Sequence, residues 1–432
     1  MRRLSVLLLA LLCLCQGSSE RTLTLAAPPI RINAIGINAP YGVSLDNATW
    51  AFHYSTWALA MPSALKTQLL NAGFRDVRLY VDPAAFSTAS DATILTMLSS
   101  GPFVAISDLL ASGFHRVIFD FHWQPGPSVT PGWGATDVIN NVANGNTKFN
   151  RMVHIATIVA PALVSTYGDQ VIFGLFNEWP PVAQFTGVTQ AVQQASYYDS
   201  VRAVAPTLKV TVTDSDQGDI GTYLTLPFDF SHYATDPNTY FEAHDYTPAA
   251  FTPQGGIGGQ GANASYAQYL TVPFPPFSEG DTLSSAEAAS AALINADTST
   301  SSGQKTSFIS SVNAFLAPYY NTPQNVAWLQ ARFTAWVSLA DSNVPPIPHY
   351  RFILGEHGCV GVATADNPRS YISPSGGGGA DLASRINYYA AVSLQARTLG
   401  ISISTHTLEA DPYEITDGTQ NLIPALTPAM YP

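Results

Sequence analysis

Charged side chains are scarce in this chain of 432 residues, where they make up 11% of the total, and basic ones are the scarcest. Eighteen Lys and Arg stand against 30 Asp and Glu, which gives a formal net charge of −12. Proteins that bind phosphate backbones need clustered Lys and Arg, whereas here the basic residues are scattered, apart from Arg2 and Arg3 at the start. We therefore predict that nucleic acid is not a partner.

Cysteine is also scarce, with three in the chain. Two of them fall in the apolar run Leu4–Cys15, which follows two arginines and precedes small residues at 17–19, the layout of a secretory signal. We predict a signal peptide at residues 1–19 and export to the extracellular space or periplasm. The mature chain would keep Cys359 alone, so no disulfide framework is expected. A lipid anchor on Cys15 is a weaker alternative, because bulky Leu14 precedes it.

Long apolar runs are missing after the signal. The signal run is too short to cross a bilayer, and we find no later stretch that reaches the ~20 apolar residues a membrane-spanning helix needs. The mature protein is therefore predicted to lie free of the membrane. We also expect it to be a monomer.

Several cofactor motifs are absent or out of place. The glycine string Gly256–Gly261 fits G-x-G-x-x-G, but it follows a proline-rich loop, whereas a dinucleotide site needs it after a strand. No H-E-x-x-H or paired-cysteine motif occurs, and no nucleophile-elbow string G-x-S-x-G occurs in the mature chain. We predict no cofactor and no metal.

What the sequence does contain is an alternation of short apolar runs and segments of helical period. The predicted strands are Ile32–Ile37, Val77–Val81, Val117–Phe121, Val171–Phe176, Val210–Val212, Tyr240–Ala243, Phe352–Leu354 and Ile401–Ile403. The predicted helices between them include Ser63–Ala72, Phe149–Tyr167, Thr189–Val204, Asn325–Leu339 and Ala380–Leu399. Eight repeats predict an α/β fold of the (β/α)8 TIM-barrel type, with an open doubly wound sheet as the rival.

The domain organisation follows from this pattern. One catalytic domain is predicted over residues 28–432. The stretch from Thr252 to Pro348 is long for one connection, so we predict an embellished loop between strands 6 and 7, together with the seventh helix.

Glutamate is rare, with eight in the chain, and two of the eight follow apolar runs directly. Glu178 follows the fourth predicted strand and Glu356 the seventh, so in a barrel both would lie on the face that carries active sites. A carboxylate at the end of a buried strand is costly unless it is paired. Two structural ion pairs are the simpler interpretation. Two facing carboxylates can also break a glycosidic bond, one as proton donor and the other as nucleophile or activator of water.

Other polar residues fall at the same predicted rim. Asn177 can hydrogen-bond a sugar hydroxyl beside the reacting carbon. Arg78 and Tyr246 can hold a nucleophile in its ionised form. His122 and His244 also lie at strand ends, which favours a polar site over two unrelated core histidines.

Together these residues resemble glycoside hydrolase family 5, the cellulase-type retaining β-glycosidases, and in particular its secreted endoglucanases. The Asn177-Glu178 pair and Glu356 carry the resemblance, along with the segments 73–83, 244–255 and 272–276. The resemblance implies a clan A barrel with Glu178 as acid/base and Glu356 as nucleophile. It also assigns supporting site positions: Arg78, His122, Asn177, His244 and Tyr246.

The chain departs from the family pattern in two places. After the eighth strand, where the family has an aromatic residue, usually Trp, as a floor for the sugar, the sequence runs Ile403 to Glu409 without one. His357 stands where the family often has Phe. Four other residues are candidates for stacking on a sugar: Trp123, Trp133, Trp179 and His406.

We therefore expect a secreted endo-acting β-1,4-glycosidase whose partner is a glucan or cellulose-type polysaccharide or oligosaccharide. A β-mannanase or a β-glucosidase of the same family is the nearest alternative. A carbohydrate-binding barrel without turnover and an unrelated α/β hydrolase are alternatives of other classes. Retention of both glutamates argues against simple binding, because binding alone requires neither a proton donor nor a nucleophile.

Overall fold

The computed structural model describes residues 36–39, 63–122, 133–139, 145–185, 187–226, 228–255, 264–361, 378–405 and 422–430. For 36–39 and 264–265 it describes the backbone only. The predicted signal peptide at 1–19, the glycine string at 256–261, Trp123 and His406 lie outside these residues. The predicted domain limits, 28 and 432, lie outside them as well.

Eight parallel strands close into a barrel in chain order, and β1 pairs with both β2 and β8. The strands are β1 Gly36–Ala39, β2 Asp76–Val81, β3 Arg116–Phe121, β4 Val171–Gly174, β5 Lys209–Thr213, β6 Thr239–His244, β7 Phe352–Glu356 and β8 Ser402–Thr405. Closure confirms the barrel and excludes the open sheet. The fourth strand is two residues shorter than predicted, because the chain turns away after Gly174 and the Asn177 N–H bonds to the Phe121 carbonyl at 3.0 Å.

Helices follow the strands in the described part of the chain. They are α1 Ser63–Asn71, α2 Asp91–Ser100, α3 Pro102–Ala111, α4 Ala135–Ile139, α5 Thr147–Tyr167, α6 Gln190–Val204, α7 Ile220–Thr225, α8 Ser231–Ala234, α9 Ala264–Ala267, α10 Leu283–Ala296, α11 Ser302–Asn321, α12 Val326–Asp341, α13 Leu382–Leu399 and α14 Thr427–Met430. The five helices predicted from sequence match α1, α5, α6, α12 and α13 within three residues. The connection between β6 and β7 is embellished as predicted, and it adds α9, α10 and α11 before α12.

One apolar segment, Asp91–Ala111, is long enough and apolar enough to cross a membrane by composition. The structure divides it into α2 and α3 at Gly101, whose φ of −130° and ψ of −92° are not helical. Ile94 and Leu98 of α2 and Ile106 of α3 are buried in the hydrophobic core. By composition the expectation that no later stretch is long enough to span a membrane is therefore wrong, but the break at Gly101 and the packing of these side chains against the core favour two barrel helices.

Residues alternate between two environments along each barrel strand, as the pleat requires. In β2, Val77, Leu79 and Val81 belong to the hydrophobic core that includes helix residues, whereas Arg78 lies between them and bonds to groups on other strands. The layer between strands and helices is therefore apolar. The barrel interior near the carboxyl ends of the strands is charged. The candidate site therefore lies at that end of the barrel.

Three buried aspartates lead to a prediction about stability and pH. Burial is the largest influence on Asp82, Asp214 and Asp245, and it raises the pKa of each to about 6. The folded protein thus holds these protons more tightly than the unfolded chain, so stability falls as pH rises from about 4 to 6. Groups with lowered pKa, such as Asp236, oppose this only below about pH 4.

We expect the melting temperature to be about 5–10 °C higher at pH 4.5 than at pH 7. Scanning calorimetry across this range checks it. Asp214→Asn is the matched variant, since it removes one of the three titrating groups and should reduce the slope by about a third. A melting temperature that rises from pH 4.5 to 7 would contradict the prediction.

Candidate active site

Arg78 is the central cation of the site and has no exposed surface. Its Nη1 donates to Glu356 Oε1 at 2.7 Å, and its Nη2 donates to Asn177 Oδ1 at 2.7 Å. Nη2 also lies 3.0 Å from Asp120 Oδ2, and Nε lies 2.9 Å from Glu242 Oε1. The Nε contact is an ion pair, because its N–H is not aligned for a hydrogen bond. Burial lowers the pKa of Arg78, but these carboxylates outweigh it and raise that pKa well above its usual value.

Glu356 ends β7 and is surrounded by hydrogen-bond donors. Its Oε1 accepts from Arg78 Nη1 and, at 3.1 Å, from the Tyr80 hydroxyl, while its Oε2 accepts from the Tyr246 hydroxyl at 2.8 Å. Hydrogen bonds to the charged form favour that form. This environment stabilises a carboxylate whose oxygens are fixed in direction, as a nucleophile requires.

Glu178 lies four residues beyond β4 in a different environment. Its Oε1 accepts from His244 Nδ1 at 2.9 Å, and its Oε2 accepts from the Gln217 amide at 3.4 Å. Among the described residues no Arg or Lys pairs with Glu178, whereas Glu356 contacts Arg78 directly.

His244 stands between the two glutamates at the end of β6. Its Nδ1 lies 3.6 Å from Glu356 Oε2, and its Nε2 lies 3.4 Å from Glu242 Oε1. Burial lowers the pKa of His244, but Glu356, Glu178 and Glu242 outweigh this effect and raise that pKa to about 10. The imidazole is therefore a cation at neutral pH.

A chain of hydrogen bonds orients Asn177. The amide oxygen accepts from Arg78, so the amide nitrogen faces His122 Nε2 at 3.4 Å. His122 Nδ1 faces Asp120 Oδ2 at 3.2 Å, and its ring stacks on Tyr80 with centroids 3.9 Å apart. This order predicts a hydrogen on His122 Nδ1 that points to Asp120.

The two glutamates are close together. One carboxylate oxygen of Glu178, one of Glu356 and a ring nitrogen of His244 all lie within 4.8 Å of one another. That spacing is also compatible with a metal ion, but His244 Nδ1 would then have to give up its contact with Glu178 Oε1. Three donors already engage Glu356: the Arg78 guanidinium and the Tyr80 and Tyr246 hydroxyls. The donor set therefore fits an organic substrate better than a metal.

The four stacking candidates from sequence have different outcomes. Trp179 has no exposed surface and stacks on Phe176 with centroids 4.0 Å apart, so the expectation that it contacts a sugar is corrected to a packing role. Trp133 is partly buried against the core, with Lys148 Nζ 5.9 Å from its ring centroid. The other two, Trp123 and His406, lie outside the described residues.

Four contacting residues were missed from sequence: Tyr80, Asp120, Glu242 and Gln217. The first three lie two residues from Arg78, His122 and His244, so the two-residue period of a strand assigns them to the same face. That signal was available. No such sequence signal identifies Gln217, because it reaches Glu178 through a turn in which residues 216–218 all have positive φ, of 54°, 62° and 70°.

No family model matches the chain, and no curated protein matches it. Solved structures do match. Cellulose synthase subunit Z (CcsZ) from Clostridioides difficile is 15% identical with a TM-score of 0.58, over 92% of this chain and 99% of that chain. Thermotoga maritima Cel5A, solved in complex with cellobiose, is 14% identical with a TM-score of 0.58, over 92% and 96%. A second Cel5A structure, with mannotriose, is 14% identical with a TM-score of 0.56 over the same shares.

The chain shares the (β/α)8 barrel fold of these proteins. In this barrel Glu178 lies beyond the carboxyl end of β4 and Glu356 lies at the carboxyl end of β7, on the face where (β/α)8 enzymes carry their active sites. At this level of identity the likeness establishes the fold, and the chemistry must be argued from the side chains.

Proposed function

We propose that the protein is a secreted, monomeric, retaining endo-β-1,4-glycosidase of glycoside hydrolase family 5. The observation that carries the proposal is the pair of glutamates in unlike environments with oxygens within 4.8 Å. Retaining glycosidases have carboxyl groups about 5–5.5 Å apart, whereas inverting enzymes need more room for a water molecule. The short separation supports the retaining reaction.

In the first step Glu356 attacks the anomeric carbon while Glu178 gives its proton to the departing glycosidic oxygen. His244 Nδ1 lies 2.9 Å from Glu178 Oε1, whereas the Gln217 amide reaches Oε2 only at 3.4 Å, so we place the transferable proton on Oε2. The products are a glycosyl ester on Glu356 and a free sugar hydroxyl. In the second step ionised Glu178 takes a proton from water, whose oxygen displaces Glu356 from the sugar.

The charges suit a transition state with positive character on the sugar. With Glu178 protonated, the site holds three buried carboxylates, Asp120, Glu242 and Glu356, and two cations, Arg78 and His244. The site then carries one excess negative charge. The excess negative charge is fixed before the reaction, and such preorganised charge favours an oxocarbenium-like transition state over the neutral substrate.

The substrate we propose first is a β-1,4-glucan. Cel5A, whose fold this chain shares, has been solved with cellobiose and with mannotriose. β-Mannan is therefore the second candidate, and it differs at the 2-hydroxyl that Asn177 would contact. A barrel that binds sugar without turnover would not need the asymmetry between Glu178 and Glu356.

The test is release of reducing ends by the purified protein from β-glucan, carboxymethyl cellulose, glucomannan, galactomannan and xylan. We expect one of the first four to be hydrolysed, with the new end in the β-configuration when proton NMR follows its formation. Glu279→Gln is the matched control, because this exposed glutamate lies far along the chain from both site glutamates. A folded protein that binds these polymers without cleaving any would favour the binding barrel, and products born as α-anomers would overturn the retaining mechanism.

A further inference from the structure

We propose that Glu242 is a positioning residue of this site, which fixes both ring nitrogens of His244 as hydrogen-bond donors and so directs Nδ1–H at Glu178. The inference rests on the proposed function for its effect on catalysis. Its structural part, the coupling of Glu242 to His244, stands on contacts alone.

Glu242 lies one pleat below His244 on β6 and is nine-tenths or more buried. Its Oε1 faces Arg78 Nε at 2.9 Å and His244 Nε2 at 3.4 Å. It thus joins the cation beneath Glu356 to the cation beside Glu178. It reaches the reacting atoms only through these two side chains, which distinguishes a positioning role from a catalytic one.

The neighbouring strand is built around this carboxylate. A Cβ at Gly355 of β7 would lie 2.0 Å from Glu242 Oε1 and 2.6 Å from its Cδ, so only glycine leaves room there. A second glycine makes room for a carboxylate in the same way on β4, where a Cβ at Gly174 would lie 2.3 Å from Asp120 Oδ1. Two glycines thus accommodate the two carboxylates that flank Arg78.

The direction of the hydrogens follows from what surrounds His244. Glu178 after β4 and Glu356 on β7 face Nδ1, and Glu242 on its own strand faces Nε2. An ionised carboxylate only accepts hydrogen bonds, so an ionised Glu242 requires a hydrogen on Nε2. Burial raises the pKa of Glu242, but Arg78 and His244 outweigh it, and the net pKa is lowered, which keeps it ionised. With both nitrogens occupied the ring is a cation.

The consequence for Glu178 is a fixed positive neighbour. The imidazolium Nδ1–H donates to Glu178 Oε1 at 2.9 Å and places a positive charge directly beside the acid. If Glu242 loses its charge, His244 can become neutral, and the positive charge beside Glu178 is then lost. The loss of the His244 charge outweighs the loss of the Glu242 charge at Glu178, because His244 contacts Glu178 directly whereas Glu242 does not.

The experiment uses Glu242→Gln, which keeps the shape and removes the charge. In protein with ¹³C-labelled histidine, the His244 signal, identified by its loss in His244→Gln, should titrate near pH 10 in the unchanged protein. In Glu242→Gln it should move down by at least about one unit. Asp120→Asn is the matched control, since it removes a carboxylate from Arg78 without touching His244, and it should leave this titration in place.

Activity provides the second measurement. The alkaline limb of kcat/KM in Glu242→Gln should move to higher pH by about 0.5–1 unit, and Glu242→Asp should restore it. A limb that moves down, or lower activity with an unmoved limb, would show a purely structural role. An ordinary His244 titration near pH 6.5 in the unchanged protein overturns the inference even if Glu242→Gln fails to fold. If no polymer is cleaved, the proposed function fails, and the His244 titration still decides the coupling.

Discussion

Replacing Glu356 by Ala should lower kcat by at least about 10⁴-fold, because the covalent step then has no nucleophile. The loss should be in kcat, with binding of oligosaccharide nearly unchanged, since the carboxylate is engaged by Arg78, Tyr80 and Tyr246 and gives little to ground-state affinity. Steady-state kinetics and calorimetric binding measure the two effects separately. Glu279→Gln should behave as the unchanged protein does.

Azide distinguishes the roles of the two glutamates. In Glu356→Ala, azide can occupy the vacated space and displace the leaving group directly, which gives a glycosyl azide of inverted configuration. In Glu178→Ala, with an aryl glycoside whose leaving group needs no proton, azide should instead attack the glycosyl ester on Glu356 and give the retained configuration. Exchange of these two outcomes would reverse the assignment of Glu178 and Glu356. Substantial hydrolysis by Glu356→Ala would remove it from the mechanism.

Replacing Arg78 by Met should destabilise the fold by about 3–5 kcal/mol, because three buried carboxylates lose their shared cation. The stability of Arg78→Lys should lie between that of Arg78→Met and that of the unchanged protein, since one ammonium cannot make all the contacts of the planar guanidinium. The deficit should shrink as pH falls and the carboxylates take up protons. Urea unfolding at pH 7 and pH 5 measures both effects.

The control for this prediction is Lys209→Met. Lys209 also pairs with an aspartate, Asp169, but Asp169 is largely exposed. Solvent screens such a pair, so the cost should stay below about 1 kcal/mol. Equal losses in Arg78→Met and Lys209→Met would mean that the buried cluster carries no special share of stability.

The barrel was predictable because its signals are local and repeated. Each strand is visible in the sequence as a short apolar run. Glycines at helix ends, such as Gly113 and Gly400 with φ of 110° and 74°, mark where the chain turns into the next strand. Glu178 and Glu356 were predictable for the same reason, since each follows a run directly. The first helix pair was less visible, because α2 and α3 read as one apolar segment until Gly101 divides it.

The rest of the site depends on contacts between distant residues. Trp179 adjoins Glu178 in sequence, yet its ring turns into the core and stacks on Phe176, and nothing in the local pattern fixes that direction. Gln217 reaches Glu178 across 39 positions through a left-handed turn. Glu242 and Asp120 required the two-residue period to be followed inward from His244 and His122. Sequence identified the residues at the rim and omitted the layer beneath them.

The glycines at 174 and 355 impose an order on how this barrel can change. A substitution at Gly355 collides with a carboxylate on the next strand, so a scan of single substitutions would score this position as intolerant for a reason that resides in Glu242. The pair should show epistasis, with Gly355→Ala better tolerated once Glu242 has been shortened to Ala. An evolutionary path or an engineering effort that adds a carboxylate at this depth must therefore first place a glycine on the facing strand. A path that removes the carboxylate must do so before that glycine is replaced by a larger residue.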